Sequence, residues 1–298
     1  VKKNIDNFKI GVVGNGYVGK ATQLFSCEDI QCLVYDKDPE KCVPLGTTPR
    51  DLKDCDFVFV CVPTPMKPNG SCDLSIVKSA IKDLAKAGVT KSKIVIRSTV
   101  PVGTSENLGV NFMPEFLTEK NWQSDFYNNN LWVFGMDNME DVTQTGAVMN
   151  FNENLNLFRD LLERAKEFDK IKENAVTFTS TKNAEAIKYG RNSFLATKVS
   201  FFNEMQEFCV RNDLNYGVVR SLICVDSRIG DSHSQVPGPD GKRGFGGTCF
   251  PKDVSSMLYQ MKKSKVQTMV LKNVKNRNEK VDRPEKDWKD NKGRAVSE

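Results

Sequence analysis

The chain has 298 residues, 39% of them hydrophobic and 27% charged, and 43 Lys and Arg against 38 Asp and Glu leave a formal net charge of +5. That is chain enough for one large domain or two ordinary ones; no apolar run reaches the ~20 residues that cross a bilayer, and polar residues 1–8 offer no signal-peptide core. The excess charge collects in residues 262–298, nearly empty of aromatics, so a soluble cytoplasmic protein is expected and a nucleic-acid partner or a membrane is not.

In chain order, residues 8–13 read as a buried strand, and Gly14-Asn15-Gly16-Tyr17-Val18-Gly19 follows directly, opening a helical stretch over 18–27. In that spacing Gly14 permits a tight turn, Gly16 lets the backbone approach a pyrophosphate, and Gly19 lets the helix pack closely on the strand. A second strand over 32–35 ends at Asp36, about twenty residues further on. A carboxylate there accepts hydrogen bonds from an adenosine ribose and repels a 2′-phosphate, which favours NAD over NADP. Strands over 57–62 and 93–97, with an amphipathic helix over 74–87, continue the alternation of an α/β fold built on a parallel sheet. Pro63, Pro65 and Pro68-Asn69-Gly70 mark a loop at the carboxyl end of the third strand, where such sheets bind their ligands.

Beyond an apolar strand lies Met113-Pro114-Glu115-Phe116-Leu117. Glu115 is suited to act as a base through water, and Thr99, within residues 98–104, to position that water; Glu119 reads as structural. Residues 181–212 form one long helical stretch, opening a mostly helical domain. On it Lys188 and Asn192 are four apart and share a face, where a cation beside a carboxamide can stabilise an oxyanion; a lone pair of this kind is more often a solvated face.

Gly and Pro then accumulate over residues 228–249. His233 there reads as a solvent-exposed loop residue, with no metal site around it. The loop ends in Gly244-Phe245-Gly246-Gly247-Thr248-Cys249 and runs into Phe250-Pro251-Lys252-Asp253. It delivers a thiol to a helix start, where the helix dipole and nearby cations favour the thiolate, with Asp253 one turn on to orient a water or take a proton. The nine cysteines show no metal-site or disulfide-scaffold spacing, which fits a reducing compartment, and the eight besides Cys249 read as packed thiols. The domains are thus read as 1–180, a Rossmann-type NAD-binding domain; 181–278, a helical central domain carrying the cysteine loop; and 279–298, a charged tail.

Together these segments resemble the UDP-glucose and GDP-mannose dehydrogenase family. The likeness runs in order through the glycine fingerprint, Val62-Pro63-Thr64-Pro65, residues 98–104, Pro114-Glu115-Phe116-Leu117, the Lys188 and Asn192 helix, Asp226-Ser227-Arg228-Ile229-Gly230 and the Cys249 loop. It implies a four-electron oxidation of a nucleotide-sugar C6 alcohol, most simply UDP-glucose to UDP-glucuronate, through a thioester on Cys249. It further implies that Lys188 and Asn192 hold the C6 oxygen, that Asp253, Glu115 and Thr99 manage protons and the hydrolytic water, and that Phe116, Leu117, Arg228, Phe245 and Gly246 line the sugar side. Gly14 to Gly19, Asp36, Val62, Pro63, Thr64, Ser98 and Thr99 would hold NAD, and the long helix would build a homodimer.

The sequence departs from the family where a second Rossmann-like domain is usual after the central helix, where residues 104–110 leave little room for a crossover helix, and at Met113 and Lys120. Two rivals are a two-electron β-hydroxyacid-type dehydrogenase, which needs no thiol, and a silent NAD-binding subunit dependent on a full-length partner.

Overall fold

Runs of Val, Ile and Phe bounded by Gly, Pro and Asp build the strands of the first unit, because β-branched and aromatic side chains pack well on a pleated surface. The computed structural model describes residues 7–136 and 153–297. Its elements run β1 (Phe8–Val13), α1 (Tyr17–Gln23), β2 (Ile30–Tyr35), β3 (Phe57–Val60), α2 (Ser75–Lys86), β4 (Ile94–Ile96), α3 (Thr104–Leu108), β5 (Asn111–Phe112), α4 (Trp122–Tyr127), β6 (Trp132–Met136), α5 (Glu153–Glu167) and β7 (Val176–Ser180). One sheet holds them in the order β2-β1-β3-β4-β5-β6-β7. All neighbours are parallel except β5 and β6, which meet antiparallel at Phe112 and Gly135.

The strand order reverses between β1 and β3, so the crevice of this doubly wound sheet lies beyond their carboxyl ends. Both faces are apolar, as a sheet covered by crossover helices requires. Phe57 and Phe59 point into one core cluster and Val58 and Val60 into the other. Phe134 stacks on Phe158 of α5 at 4.2 Å.

Two elements end earlier than the apolar pattern does. β3 stops at Val60, since Pro63 has no N–H to give and restrains Val62. α1 stops at Gln23, where a turn closed by mutual backbone hydrogen bonds of Cys27 and Ile30 leads into β2. α3 is a single five-residue helix, in keeping with the short 104–110 stretch.

Thirty-one residues form α6 (Thr181–Arg211), followed by α7 (Tyr216–Cys224), α8 (Phe250–Lys263) and α9 (Met269–Arg277). The compact units are Val1–Pro63 with Leu74–Lys188, and Thr64–Asp73 with Tyr189–Glu298, so the division falls within α6 and the proline loop joins the second unit. In that unit Ala196, Phe245, Val254, Leu271 and Val274 form the core. Among the described residues no helix is long and apolar enough to cross a membrane.

The final twenty residues correct the expectation of a solvated tail. Arg283, Trp288 and Ala295 are buried, and Arg283 pairs with Asp240 and Asp287 at 2.7 Å each. Met66 and Ser297 close the segment onto residues 64–73 through Met66 N–H to Ala295 O and Ser297 N–H to Met66 O, both 2.9 Å. Charge composition misleads here because the buried Arg283 guanidinium is met by two carboxylates.

Candidate functional site

At the carboxyl end of β1 the glycines meet specific steric demands. Gly14 has φ +95°, and a Cβ there would meet the Cys61 carbonyl oxygen at 2.8 Å. A Cβ on Gly19 would collide with the Gly14 carbonyl, whereas one on Gly16 would meet nothing within 4 Å. The first and third glycines are therefore required by the turn itself, and the second borders open space. Asp36, at the end of β2, accepts the Asn15 N–H at 2.6 Å and the Asp38 N–H at 2.9 Å, which fixes its carboxylate beside the turn. Asn15 is held in turn by Lys41 O and Gln23. Tyr17 and Val18 open α1, whose cap, Gly16, offers no side chain to its first N–H groups. The cradle fits a dinucleotide: a close backbone approach at Gly16, the N-terminus of α1 above it and a fixed carboxylate alongside.

Ser98 Oγ donates to Val62 O at 2.6 Å, tying the segment after β4 to Val62 and Pro63; Thr99, next to it, is buried. Thr64 belongs to the second unit.

In the first unit, Lys188 Nζ donates to the Glu115 carboxylate and to the Glu115 carbonyl oxygen, each at 2.6 Å, and the other carboxylate oxygen accepts the Leu117 N–H at 2.8 Å. Burial alone would raise the Glu115 carboxyl, but the Lys188 ammonium, the Leu117 N–H and the charge of Arg97 hold it below the usual carboxylate range. Phe116 lies with its ring centroid 5.7 Å from Lys188 Nζ. Arg97, buried and donating to Thr22 Oγ1 at 2.9 Å, is a contributor that sequence reasoning missed; nothing in its local pattern marks it.

The second unit contains the thiol. Cys249 caps α8, and the Asp253 N–H bonds back to the Cys249 carbonyl at 3.0 Å. Asp253 is 1% exposed, and its two oxygens are claimed by Asn192 Nδ2 and Lys252 Nζ at 2.6 Å each. Burial would lower the Lys252 pKa, but Asp253 and Cys249, both within electrostatic reach, raise it, so the ammonium persists beside the thiol. Lys252 stands inside the cysteine motif and was given no role from sequence, although its place beside Asp253 in the chain was a signal that could have marked it.

Phe245 is anchored on both sides by Asn278, which accepts the Phe245 N–H at 2.7 Å and donates to its carbonyl at 2.9 Å. Gly246 lies directly against the Arg283 guanidinium, which leaves no room for a side chain. Arg228 turns to its own neighbour Asp226 and is 87% exposed, so the structure does not join it to the cysteine loop. His233 is a correction: the ring is partly buried, 5.6 Å from that of Phe250, with φ +61° and a buried Nδ1 that has no partner among the described residues. Burial, with Lys198 nearby, lowers its pKa.

Two models of one family match this chain, the UDP-glucose/GDP-mannose dehydrogenase NAD binding domain over residues 45–151 and the central domain over residues 182–280. A UDP-glucose 6-dehydrogenase of Rickettsia typhi is 33% identical over 236 residues, covering 76% of this chain and 49% of its own. Among solved structures, a UDP-glucose dehydrogenase from the archaeon Pyrobaculum islandicum is 23% identical with a TM-score of 0.75, covering 94% of this chain and 69% of its own. A GDP-mannose dehydrogenase from Pseudomonas aeruginosa is 25% identical with a TM-score of 0.58, covering 90% and 68%. The chain spans about half the length of the Rickettsia relative. It belongs to the UDP-glucose/GDP-mannose dehydrogenase family, and its cofactor is NAD.

Proposed function

We propose that the chain carries the machinery for four-electron oxidation of a nucleotide-sugar C6 alcohol to the carboxylate, with UDP-glucose as substrate and Cys249 as nucleophile. The observation that carries this reading is the start of α8, where Cys249 stands with Lys252 and Asp253 in the following turn and Asn192 fastens Asp253. A two-electron oxidation has no use for such a thiol.

NAD supplies the acceptor for one hydride in each of two oxidations. After the first, the Cys249 thiolate adds to the C6 aldehyde, and the thiohemiacetal loses a second hydride and a proton to become a thioester. Water then cleaves the C–S bond, releasing the carboxylate and returning the thiol. The ammonium of Lys252 favours the thiolate before attack and the oxyanion after it. Asp253, gripped by Asn192 and Lys252, is fixed to take a proton or align the water. On the first unit, Lys188 is a buried cation for developing charge on the C6 oxygen, and Glu115 balances it when no oxyanion is present. Thr99 positions water, and Gly14 to Gly19, Asp36, Val62, Pro63, Thr64 and Ser98 hold the cofactor. Phe116, Leu117, Phe245 and Gly246 serve the sugar side, and Arg228, turned to Asp226, is left out of it.

The same reading includes a homodimer. Phe194, Phe201 and Phe208 recur every seven residues on α6 and are 67%, 53% and 54% exposed, an apolar stripe of the sort that marks an interface.

The test is the NADH formed per sugar consumed, with UDP-glucose, GDP-mannose and UDP-N-acetylmannosamine in turn. Two per UDP-glucose supports the reading, one supports the two-electron rival, and NAD binding without turnover on all three supports a silent subunit.

A further inference from the structure

Glu185, on α6 of the first unit, is 0% exposed and has no ion-pair partner among the described residues. A buried carboxylate without a cation persists only where strong donors replace water. Its donors are backbone: the Gly103 N–H at 2.6 Å on one oxygen and the Ser105 N–H at 2.8 Å on the other. Gly103 stands in the left-handed region at φ +89°, a geometry that turns these amides toward one acceptor.

What Glu185 grips is the far end of the segment that begins at Ser98. That near end is tied by Ser98 Oγ to the carbonyls of Val60 and Val62, at 3.3 and 2.6 Å. Thr104 Oγ1 closes the interior onto Pro101 O at 2.6 Å. Residues 98–105 thus form a shelf beyond the carboxyl end of β4, clamped at both ends, with Thr99 between the clamps. Three residues along α6, Lys188 grips Glu115, so one helix fixes both the segment that follows β4 and the segment that follows β5.

We propose that Glu185 is a positioning residue for the nicotinamide end of the cofactor, acting through the Ser98 to Ser105 shelf. Its carboxylate holds the shelf at the height that the cofactor and Thr99 require, and the hydrogen bonds that fix Asn15 and Asp36 do not involve it. This rests on Ser98 and Thr99 bordering the cofactor, and not on the thioester chemistry.

The experiment compares the full chain with its Glu185→Gln and Glu185→Ala variants. NAD affinity is read by equilibrium titration and the melting temperature in parallel. Gln retains one carbonyl acceptor for two N–H groups and Ala none. The expected result is a graded loss, with NAD Kd raised several-fold in Gln and on the order of tenfold in Ala, as the Gly103 and Ser105 N–H groups lose one and then both of their acceptors. NMN, which lacks the adenosine half, should lose the same factor and ADP-ribose almost none. Variants that melt lower yet bind NAD and NMN like the wild type would show Glu185 to be a helix cap and overturn the proposal, as would equal losses for ADP-ribose and NMN. Because binding is the readout, a chain that binds NAD without oxidising any sugar would reject the thioester reading and leave this result intact.

Discussion

The Lys188 ammonium and the Glu115 carboxylate meet at 2.6 Å with side chains only 3% and 4% exposed. Removing one member of such a pair strands the other charge in the core, at a cost of about 3–5 kcal/mol. Lys188→Met is accordingly expected to lower unfolding stability by that order, and adding Glu115→Gln to restore much of it without restoring turnover. Urea denaturation of the two single variants and the double variant checks this; an additive double variant would show that the pair is not coupled. Since the Glu115 carboxyl is held below its ordinary value, its contribution is present above the unfolded pKa and is lost as pH falls through the folded one.

Glu185 titrates in the opposite sense. Burial pushes its carboxyl from 4.5 up to about 7, against the N–H groups that act to lower it. The folded chain therefore binds more protons than the unfolded one between those values, and this group's contribution to stability falls as pH rises through that window. Glu185→Gln should flatten the slope of unfolding free energy measured from pH 5 to pH 7.5. A slope unchanged by the substitution would assign the pH dependence elsewhere.

Two glycines in one motif should fail differently. Gly19→Ala places a methyl group on the Gly14 carbonyl, so both the melting temperature and NAD affinity should drop. Gly16→Ala meets nothing within 4 Å among the described residues and should melt close to the wild type while binding NAD more weakly. Calorimetry with NAD titration separates the two, and equal affinity in Gly16→Ala would mean that no ligand approaches there.

For the thiol, Cys249→Ser should abolish formation of two NADH per sugar while NAD affinity stays within about twofold, a difference below ~0.4 kcal/mol. On the proposed mechanism, Lys252→Met should slow alkylation of Cys249 by iodoacetamide near neutral pH, because a cation within electrostatic reach of the thiol is removed. Unchanged alkylation would remove Lys252 from the mechanism.

Phe201→Glu puts a charge in the centre of the exposed stripe on α6 and should convert a dimer to a monomer in sedimentation at micromolar concentration. A wild-type monomer under the same conditions would sink the dimer reading.

The sequence alone determined the features that depend on neighbours in the chain. The glycine turn, the alternation of strands and helices, the length of α6 and the placing of Cys249 at a helix start all follow from local φ restrictions and short-range hydrophobic periods. Tertiary structure decided who partners whom. Lys188 finds Glu115 across 73 residues and Asn192 finds Asp253 across 61, pairings that no spacing encodes. The same holds for Glu185 on the Gly103 and Ser105 amides and for Asn278 on Phe245. Trp288 and Arg283, in a stretch whose composition reads as solvated, are buried because Asp240 and Asp287 neutralise the guanidinium and loop 64–73 receives the chain end. Burial of a polar group is permitted only where its partners converge, and convergence is a property of the folded chain and not of any window of its sequence.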